Sequence, residues 1–254
     1  MQEKIKKYLT ALEKKKDIEI LLACETGSRA WGFPSPDSDY DVRFIYRRKK
    51  DWYLHLQQQK DSIDVMYEDN EIDLSGWDLR KSLLLLAKSN PALLERIQSP
   101  VLYKVNEAFL TGIRAEAEQQ YSKIATMFHY LSMAKKKFEE VQSGEKMRLK
   151  SMFYALRTSV ACLWITKRDT MPPIVFQEML ENLDIDAAVK KRIYELINLK
   201  ATASESYMHP QEKSINDFIA ENIAHAEAIG KTLPGSKGKL SDMNAFFIKT
   251  VSGT

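Results

Sequence analysis

The sequence has little cysteine and no apolar run of membrane-spanning length. Its two cysteines, Cys24 and Cys162, lie far apart in apolar surroundings. This arrangement excludes a disulfide framework and predicts two buried thiols. No stretch approaches the roughly 18 consecutive apolar residues that a membrane span needs, and the first residues lack the apolar core of a signal peptide. We therefore expect a cytoplasmic protein without a membrane partner.

Glycine, proline and a strong excess of one charge are also lacking. With 9 Gly and 8 Pro among 254 residues, collagen-like and low-complexity classes are excluded. The 38 basic and 35 acidic residues leave a net charge of +3, which permits a nucleic-acid or nucleotide partner without requiring one. A hydrophobic content of 44% is ordinary for a globular chain and excludes general disorder.

Short strand patterns and turns fill the first part of the chain. Apolar residues at helical spacing predict a first helix over 2–15. A buried strand then runs towards Gly27, and a loop rich in Gly, Pro, Ser and Asp follows it. Further strands are predicted over 40–46, 62–68, 71–75 and 101–105, with a helix over 76–90.

Helical periodicity dominates after residue 113. The predicted helices cover 114–142, 147–167, 172–182, 186–203 and 211–232. The tail from residue 234 breaks this periodicity and is expected to be a weakly ordered loop. The fold class is therefore α+β, with a mixed-sheet domain over 1–112, a helical domain over 113–233 and a tail over 234–254.

The stretch GSRAWGFPSPDSDYDV, residues 27–42, carries the chemistry. Asp39 and Asp41 are two positions apart at a strand start, so both carboxylates project from one face. Neighbouring carboxylates repel each other, and a divalent cation such as Mg²⁺ removes that cost. Upstream, Gly27 and Ser28 form a strand-terminal turn suited to a phosphate. Turn and capping roles are the alternative for the aspartates.

The pattern of an apolar strand, Gly-Ser, about ten residues and Asp–apolar–Asp resembles the signature of the polymerase-beta-type nucleotidyltransferase superfamily. The wider strings GSRAWGFPSPDSDYDVRFIY, DLSGWDLRK and KSNPALLE resemble one branch of it more closely. That branch comprises predicted bacterial and phage nucleotidyltransferases and includes the RNA-ligase-associated type. The match covers residues 24–103 well and the helical part around KSMFYALR loosely.

The resemblance implies a palm-like sheet with three carboxylates and two Mg²⁺ ions, with Mn²⁺ as a substitute. Asp39 and Asp41 match the paired metal ligands, and Gly27 and Ser28 match the turn that holds the triphosphate. The third carboxylate lies on a neighbouring strand in the superfamily. Asp73 fits best, and the alternatives Asp64 and Asp78 stay open.

Other polar residues are weaker candidates. Arg29 either reaches a phosphate or pairs with a surface carboxylate, and Arg43 is expected to balance the charge of the aspartates. One stripe of a predicted helix carries Lys150, Tyr154 and Arg157. This stripe is either a solvated helix face or, as the resemblance implies, a binding surface for the nucleotide.

The expected function is Mg²⁺-dependent transfer of a nucleoside monophosphate from a nucleoside triphosphate such as ATP to an acceptor hydroxyl. RNA, as tRNA or broken RNA ends, is the first choice of acceptor, in repair or end modification. The alternatives are adenylylation of a protein or small molecule, of toxin, antitoxin or resistance type, and a non-catalytic nucleotide-binding module. The sequence indicates no oligomeric state.

Overall fold

A computed structural model describes residues 1–236 and 238–253 as two compact units. The sheet unit consists of Met1–Ala30, Asp39–Tyr121 and the described part of Ser236–Thr254. The helical unit consists of Trp31–Ser38 and Ser122–Gly235. The short segment 31–38 therefore packs with a part of the chain distant in sequence. The domain limits expected from the sequence stay a prediction.

A five-stranded mixed sheet forms the centre of the sheet unit in the described part of the chain, and its strand order is β3-β4-β2-β1-β5. Strands β2 and β4 run parallel, while the other neighbouring pairs are antiparallel. β2 and β4 therefore start at the same edge of the sheet. The strands are β1 (Glu19–Glu25), β2 (Tyr40–Arg47), β3 (Ser62–Tyr67), β4 (Ile72–Asp78) and β5 (Leu102–Val105).

Helix α1 (Gln2–Lys16) covers one face of this sheet. Its buried stripe of Ile5, Leu9 and Leu12 joins one hydrophobic cluster with Phe44 and other inward-facing strand residues. Burying such a stripe against a sheet provides most of the stability of an amphipathic helix. The strand residues that alternate with these core residues, such as Asp41 and Asp73, point to the opposite face of the sheet.

Side-chain caps set where the next helices begin. Asp78, Asn90 and Asn106 each accept a hydrogen bond from a backbone N–H in the first turn of the helix that follows. The remaining helices of the sheet unit are α3 (Leu79–Leu86), α4 (Pro91–Gln98), α5 (Glu107–Gln120) and α11 (Asn244–Ser252), while the short α2 (Gly27–Trp31) leads into the helical unit.

The helical unit is built around α7 (Leu149–Lys167), which is buried on most of its circumference. A helix that is apolar nearly all round lies inside its own bundle. No helix among the described residues is both long and apolar enough to cross a membrane. The other elements of this unit are α6 (Lys123–Gln142), β6 (Lys146–Arg148), α8 (Phe176–Asn182), α9 (Ala187–Lys200), β7 (Met208–Pro210) and α10 (Lys213–Ile229).

The α+β class and the predicted strands are confirmed, and four local predictions are wrong. The expected loop after Gly27 begins with α2, and the helix expected over 76–90 starts only after β4 ends at Asp78. The single helix over 114–142 is two helices, because Tyr121 is extended and Ser122 caps a new helix through its Oγ. The tail forms α11, since Phe246 stacks on Phe109.

Candidate active site

The turn after β1 places Gly27 against the carboxylate of Asp41. Thr26 donates through both its backbone N–H and its Oγ1 to the Asp41 carbonyl, at 2.9 and 3.0 Å. Gly27 has a φ of +63°, and a Cβ built on it would lie 2.2 Å from Asp41 Oδ2. Both the backbone conformation and the space at this position therefore require glycine.

Ser28 and Arg29 follow in the first turn of α2. The Ser28 side chain is buried. The Arg29 guanidinium lies over the Tyr40 ring, 3.9 Å from its centroid, and its Nε donates to the Asp39 carbonyl at 3.1 Å. Arg29 thus holds the backbone just before β2, and its predicted nucleotide-binding role stays a prediction.

Asp41 and Asp73 are direct neighbours on the parallel strands β2 and β4. Directly opposed residues point to the same face of a sheet. A single Nη2 of Arg43 donates to Asp41 Oδ1 and to Asp73 Oδ2, both at 2.8 Å. The contact with Asp41 agrees with the expectation that Arg43 balances the charge of Asp39 and Asp41, and the second carboxylate that Arg43 contacts is Asp73.

Neither of the two alternative third carboxylates is paired with Asp41 in the strand register. Asp64 is exposed on β3 and accepts a hydrogen bond from Ser75 Oγ at 2.7 Å. Asp78 is buried at the end of β4, where it caps α3 and accepts from Tyr53 Oη at 2.8 Å. Burial raises the pKa of Asp78. Of the three candidates, Asp73 is the one that the strand register places opposite Asp41.

Asp39 lies at the junction between the loop and β2, and it is exposed to solvent. Its carbonyl is held by Arg29, while its neighbour two positions on, Asp41, contacts Arg43. The structure therefore brings Asp41, Asp73 and Gly27 together and leaves Asp39 at the solvent-facing entrance of the strand.

Aromatic residues anchor segment 31–38 inside the helical unit. Trp31 lies under the guanidinium of Arg157, 4.4 Å from its ring centroid, and makes an edge contact with Tyr154. Phe33 is 1% exposed and stacks on Phe153 with centroids 4.9 Å apart. These contacts anchor both loop aromatics in the core of the helical unit.

Polar contacts complete this anchoring. Lys200 Nζ donates to Ser35 Oγ at 2.9 Å, and Ser38 Oγ donates to Glu205 Oε1 at 2.8 Å. Glu205 also forms an ion pair with Lys150. Burial lowers the pKa of Lys200. The segment is thus fixed by a hydrogen bond from a buried lysine as well as by aromatic packing.

The predicted stripe on α7 therefore packs against segment 31–38 and its anchors. Arg157 is only 2% exposed and donates to the Ile174 carbonyl at 3.3 Å. The prediction that this stripe is a solvated helix face is therefore wrong for Arg157. The nucleotide-binding role of Lys150, Tyr154 and Arg157 stays a prediction.

Comparison with known proteins decides the family. The profile of the RNA repair pathway DNA polymerase beta family, RlaP, matches residues 1–249. The chain belongs to this family. It is also 37% identical to the uncharacterized protein YcgL of Bacillus subtilis over 254 residues, which cover 99% of this chain and 96% of YcgL.

A solved structure also resembles this RlaP-family chain at low similarity. It is a nucleotidyltransferase-like protein from Exiguobacterium sibiricum, with 11% identity and a TM-score of 0.34. The match covers 90% of this chain and 75% of that one. The resemblance to polymerase-beta-type nucleotidyltransferases inferred from the Gly-Ser and Asp–apolar–Asp motifs agrees with the family assignment.

The carboxylate pair of this RlaP-family chain fits a divalent cation. Two oxygens, one from Asp41 and one from Asp73, converge on one positively charged nitrogen of Arg43. Among residues 1–236 and 238–253, no group of three or more His, Cys, Asp or Glu side chains is placed to hold a metal ion. Mg²⁺ commonly takes one or two carboxylates and completes its shell with water and substrate phosphates. The pair suits that arrangement.

Glu25 is a site residue that the sequence analysis missed. It is 1% exposed at the end of β1 and accepts hydrogen bonds from the Asp41 N–H, at 2.7 Å, and from Tyr103 Oη. Burial raises the pKa of Glu25 to about 7. The sequence does contain a signal, because a glutamate at the end of a buried apolar strand needs specific partners.

Arg96 is the second missed residue. It is 4% exposed, its guanidinium lies 3.3 Å from the centroid of the Trp77 ring, and Nη1 donates to the Phe44 carbonyl at 3.5 Å. Burial lowers the pKa of Arg96 to about 9. Trp77 is four positions beyond Asp73 on β4 and so shares its face. Arg96 and Trp77 thus cover the carboxylate face of the sheet further along the strand.

Proposed function

We propose that this protein transfers a nucleoside monophosphate from a nucleoside triphosphate to a hydroxyl group of RNA, a reaction of class EC 2.7.7. The observation that carries the proposal is the convergence of the Asp41 and Asp73 carboxylates beside Gly27. The RNA acceptor rests on membership of an RNA repair pathway family.

In this proposal, the aspartates bind the metal ion and the turn at Gly27 binds the triphosphate. Asp41 and Asp73, with Asp39 at the entrance, would hold Mg²⁺, with Mn²⁺ as a substitute. When bound, the ion supplies charge neutralisation and orientation of the phosphates. The turn of Gly27 and Ser28 would hold the triphosphate, and the missing Cβ of Gly27 leaves room for the Asp41 carboxylate beside this turn.

The reaction is an in-line displacement at the α-phosphorus. The acceptor oxygen forms the new P–O bond, the bond to the β-phosphate oxygen breaks, and pyrophosphate leaves. Asp73 takes the proton of the acceptor hydroxyl as general base. Arg29, held over Tyr40 at the start of β2, offers a positive charge for the leaving phosphates.

Arg43 keeps the carboxylate pair assembled while the nucleotide is absent. Its bonds to both carboxylates offset their mutual repulsion. All three side chains are partly exposed, at 19% for Arg43, 33% for Asp41 and 29% for Asp73, so ligands reach them from solvent.

A labelling experiment tests the proposal. Purified protein is incubated with Mg²⁺, each α-³²P nucleoside triphosphate, total cell RNA and a protein extract, beside an Asp39→Ala/Asp41→Ala variant and an EDTA control. We expect label on RNA with the wild type in Mg²⁺ and none in either control. Label on protein or on a small molecule would contradict the RNA acceptor. The absence of label everywhere, with nucleotide binding intact, would contradict transfer itself.

A further inference from the structure

A cluster of cations lies at the far end of β2 from the carboxylates. Residues Lys14–Lys16 form the last turn of α1, and residues Arg47–Lys50 follow from the end of β2. Arg48 Nη1 donates to the Lys16 carbonyl at 3.0 Å, which joins the two segments. We name these seven residues the basic edge, and all of them belong to the sheet unit.

The basic edge carries an excess of positive charge. Its seven cations are accompanied in the neighbouring sequence by four carboxylates, Glu13, Asp17, Glu19 and Asp51, which leaves an excess of three. The net charge of the entire chain is +3. The charges of the rest of the molecule therefore nearly cancel in sum, so this edge is a locally basic surface.

Stability of α1 does not explain this cluster. Lysines in the last turn of a helix complement the helix dipole, but Arg47–Lys50 lie outside α1. The ion pair of Lys49 with Asp17 is 2.8 Å long, with both side chains more than 70% exposed, and such pairs contribute little. Arg47 also pairs with Glu19 at 2.7 Å. In the run Lys135–Lys137 of α6, two lysines likewise pair with carboxylates, on α6 and α10, so this run is a matched control.

The basic edge also has the shape and the aromatic neighbour of a single-strand binding surface. Asp17–Glu19 and Arg47–Lys50, together with Val251, line an open cavity of about 370 Å³. The Arg48 guanidinium lies 5.2 Å from the ring centroid of half-buried Trp52. Cationic grooves with an aromatic ring for base stacking are typical of proteins that bind single-stranded nucleic acid.

We infer that the basic edge binds the phosphate backbone of a single-stranded segment of the RNA acceptor. This inference rests on the proposed function for the choice of RNA. Arg47 is six positions from Asp41 along β2, a distance of roughly 20 Å at about 3.3 Å per residue. At roughly 3.4 Å per phosphate of a stacked strand, this separation corresponds to about six nucleotides. The edge thus contacts the acceptor away from its reacting end.

A binding measurement with two matched variants tests the inference. Fluorescence anisotropy records binding of a labelled 20-nucleotide single-stranded RNA to the wild type, to Lys16→Gln/Lys49→Gln/Lys50→Gln and to Lys135→Gln/Lys136→Gln/Lys137→Gln. Both variants lose three charges, and the substituted lysines of the basic edge are exposed, so the fold is retained. The assay needs neither nucleotide nor transfer, so it can fail or succeed independently of the labelling experiment.

We expect the basic-edge variant to bind at least tenfold more weakly, with the α6 variant like the wild type. The logarithm of the binding constant decreases with log salt, and we expect this slope to be less negative by about 2 in the basic-edge variant, because three contacts to single-stranded RNA are lost. Equal binding by the two variants, or no binding of RNA by the wild type at low salt, would overturn the inference. Displacement of the RNA by polyglutamate as readily as by unlabelled RNA would assign the edge to an acidic protein and also overturn it.

Discussion

Gly27 is a position beside the carboxylates where any side chain would clash with Asp41. We predict that Gly27→Ala destabilises the protein by at least about 1–2 kcal/mol through its positive φ alone. The added Cβ, 2.2 Å from Asp41 Oδ2, also displaces that carboxylate. Urea unfolding measures the free energy, and Gly144→Ala is the matched control because its nearest neighbour atom is 3.5 Å away. Equal costs for the two variants would contradict this account of Gly27.

The buried carboxyl of Asp78 makes stability depend on pH. Burial raises its pKa in the folded state, so the folded protein binds more protons than the unfolded chain above the usual Asp pKa of about 4. The contribution of Asp78 to the free energy of unfolding therefore falls as pH rises through that range.

Asp78→Asn isolates this effect, because asparagine also caps helices well. We expect the stability of the variant relative to the wild type to increase as pH rises from about 4 to 7. Urea unfolding across this range measures it. Two parallel pH profiles would show that Asp78 does not titrate differently in the folded state.

At the scale of single residues, the sequence predicts some members of the candidate site but not which of them lie together. Gly27, Asp39 and Asp41 stand in one local motif, so the sequence pattern and its family resemblance predict them as candidates. The pairing of Asp41 with Asp73 depends on the register of two strands 30 positions apart, which local pattern does not specify. Asp64 has the same apolar neighbours as Asp73 in sequence, and the strand register distinguishes them.

Among the structural elements, segment 31–38 depends most on packing far away in the sequence. We predict that Phe33→Ala costs about 3–5 kcal/mol, because a 1% exposed ring between Phe153 and Phe176 is lost. Thermal and urea unfolding measure the loss. Phe128→Ala is the control, since Phe128 is 44% exposed and its truncation is expected to be nearly neutral. Similar costs at both positions would contradict anchoring by Phe33.

The residues at which helices begin and end depend on interactions that hydrophobic periodicity does not show. The helical pattern that starts at residue 114 continues past residue 121, so it does not reveal the new helix start capped by Ser122. Helix α11 is short, and its place depends on contacts of Phe246 with Phe109 and of Phe247 with Tyr53. The strands that flank Gly27 were predictable because an apolar run and a turn glycine identify them locally.

For the whole molecule, the family and the geometry of the carboxylates support one account. This RlaP-family chain places Asp41 and Asp73 on adjacent parallel strands and carries a cluster of basic residues at the other end of β2. We propose that the carboxylate pair is the centre of nucleotide transfer and that the basic edge is a separate surface for the acceptor. Asp73 is therefore the residue to test first.

The most direct test compares Asp73→Asn with Asp64→Asn in a transfer assay with labelled nucleoside triphosphate, RNA and Mg²⁺. Asp73 is partly exposed and Asp64 is exposed, so melting temperatures close to the wild type are expected for both variants. We predict that Asp73→Asn loses at least about 10²-fold in initial rate and that Asp64→Asn keeps the wild-type rate. An active Asp73→Asn beside an inactive Asp64→Asn would contradict this prediction.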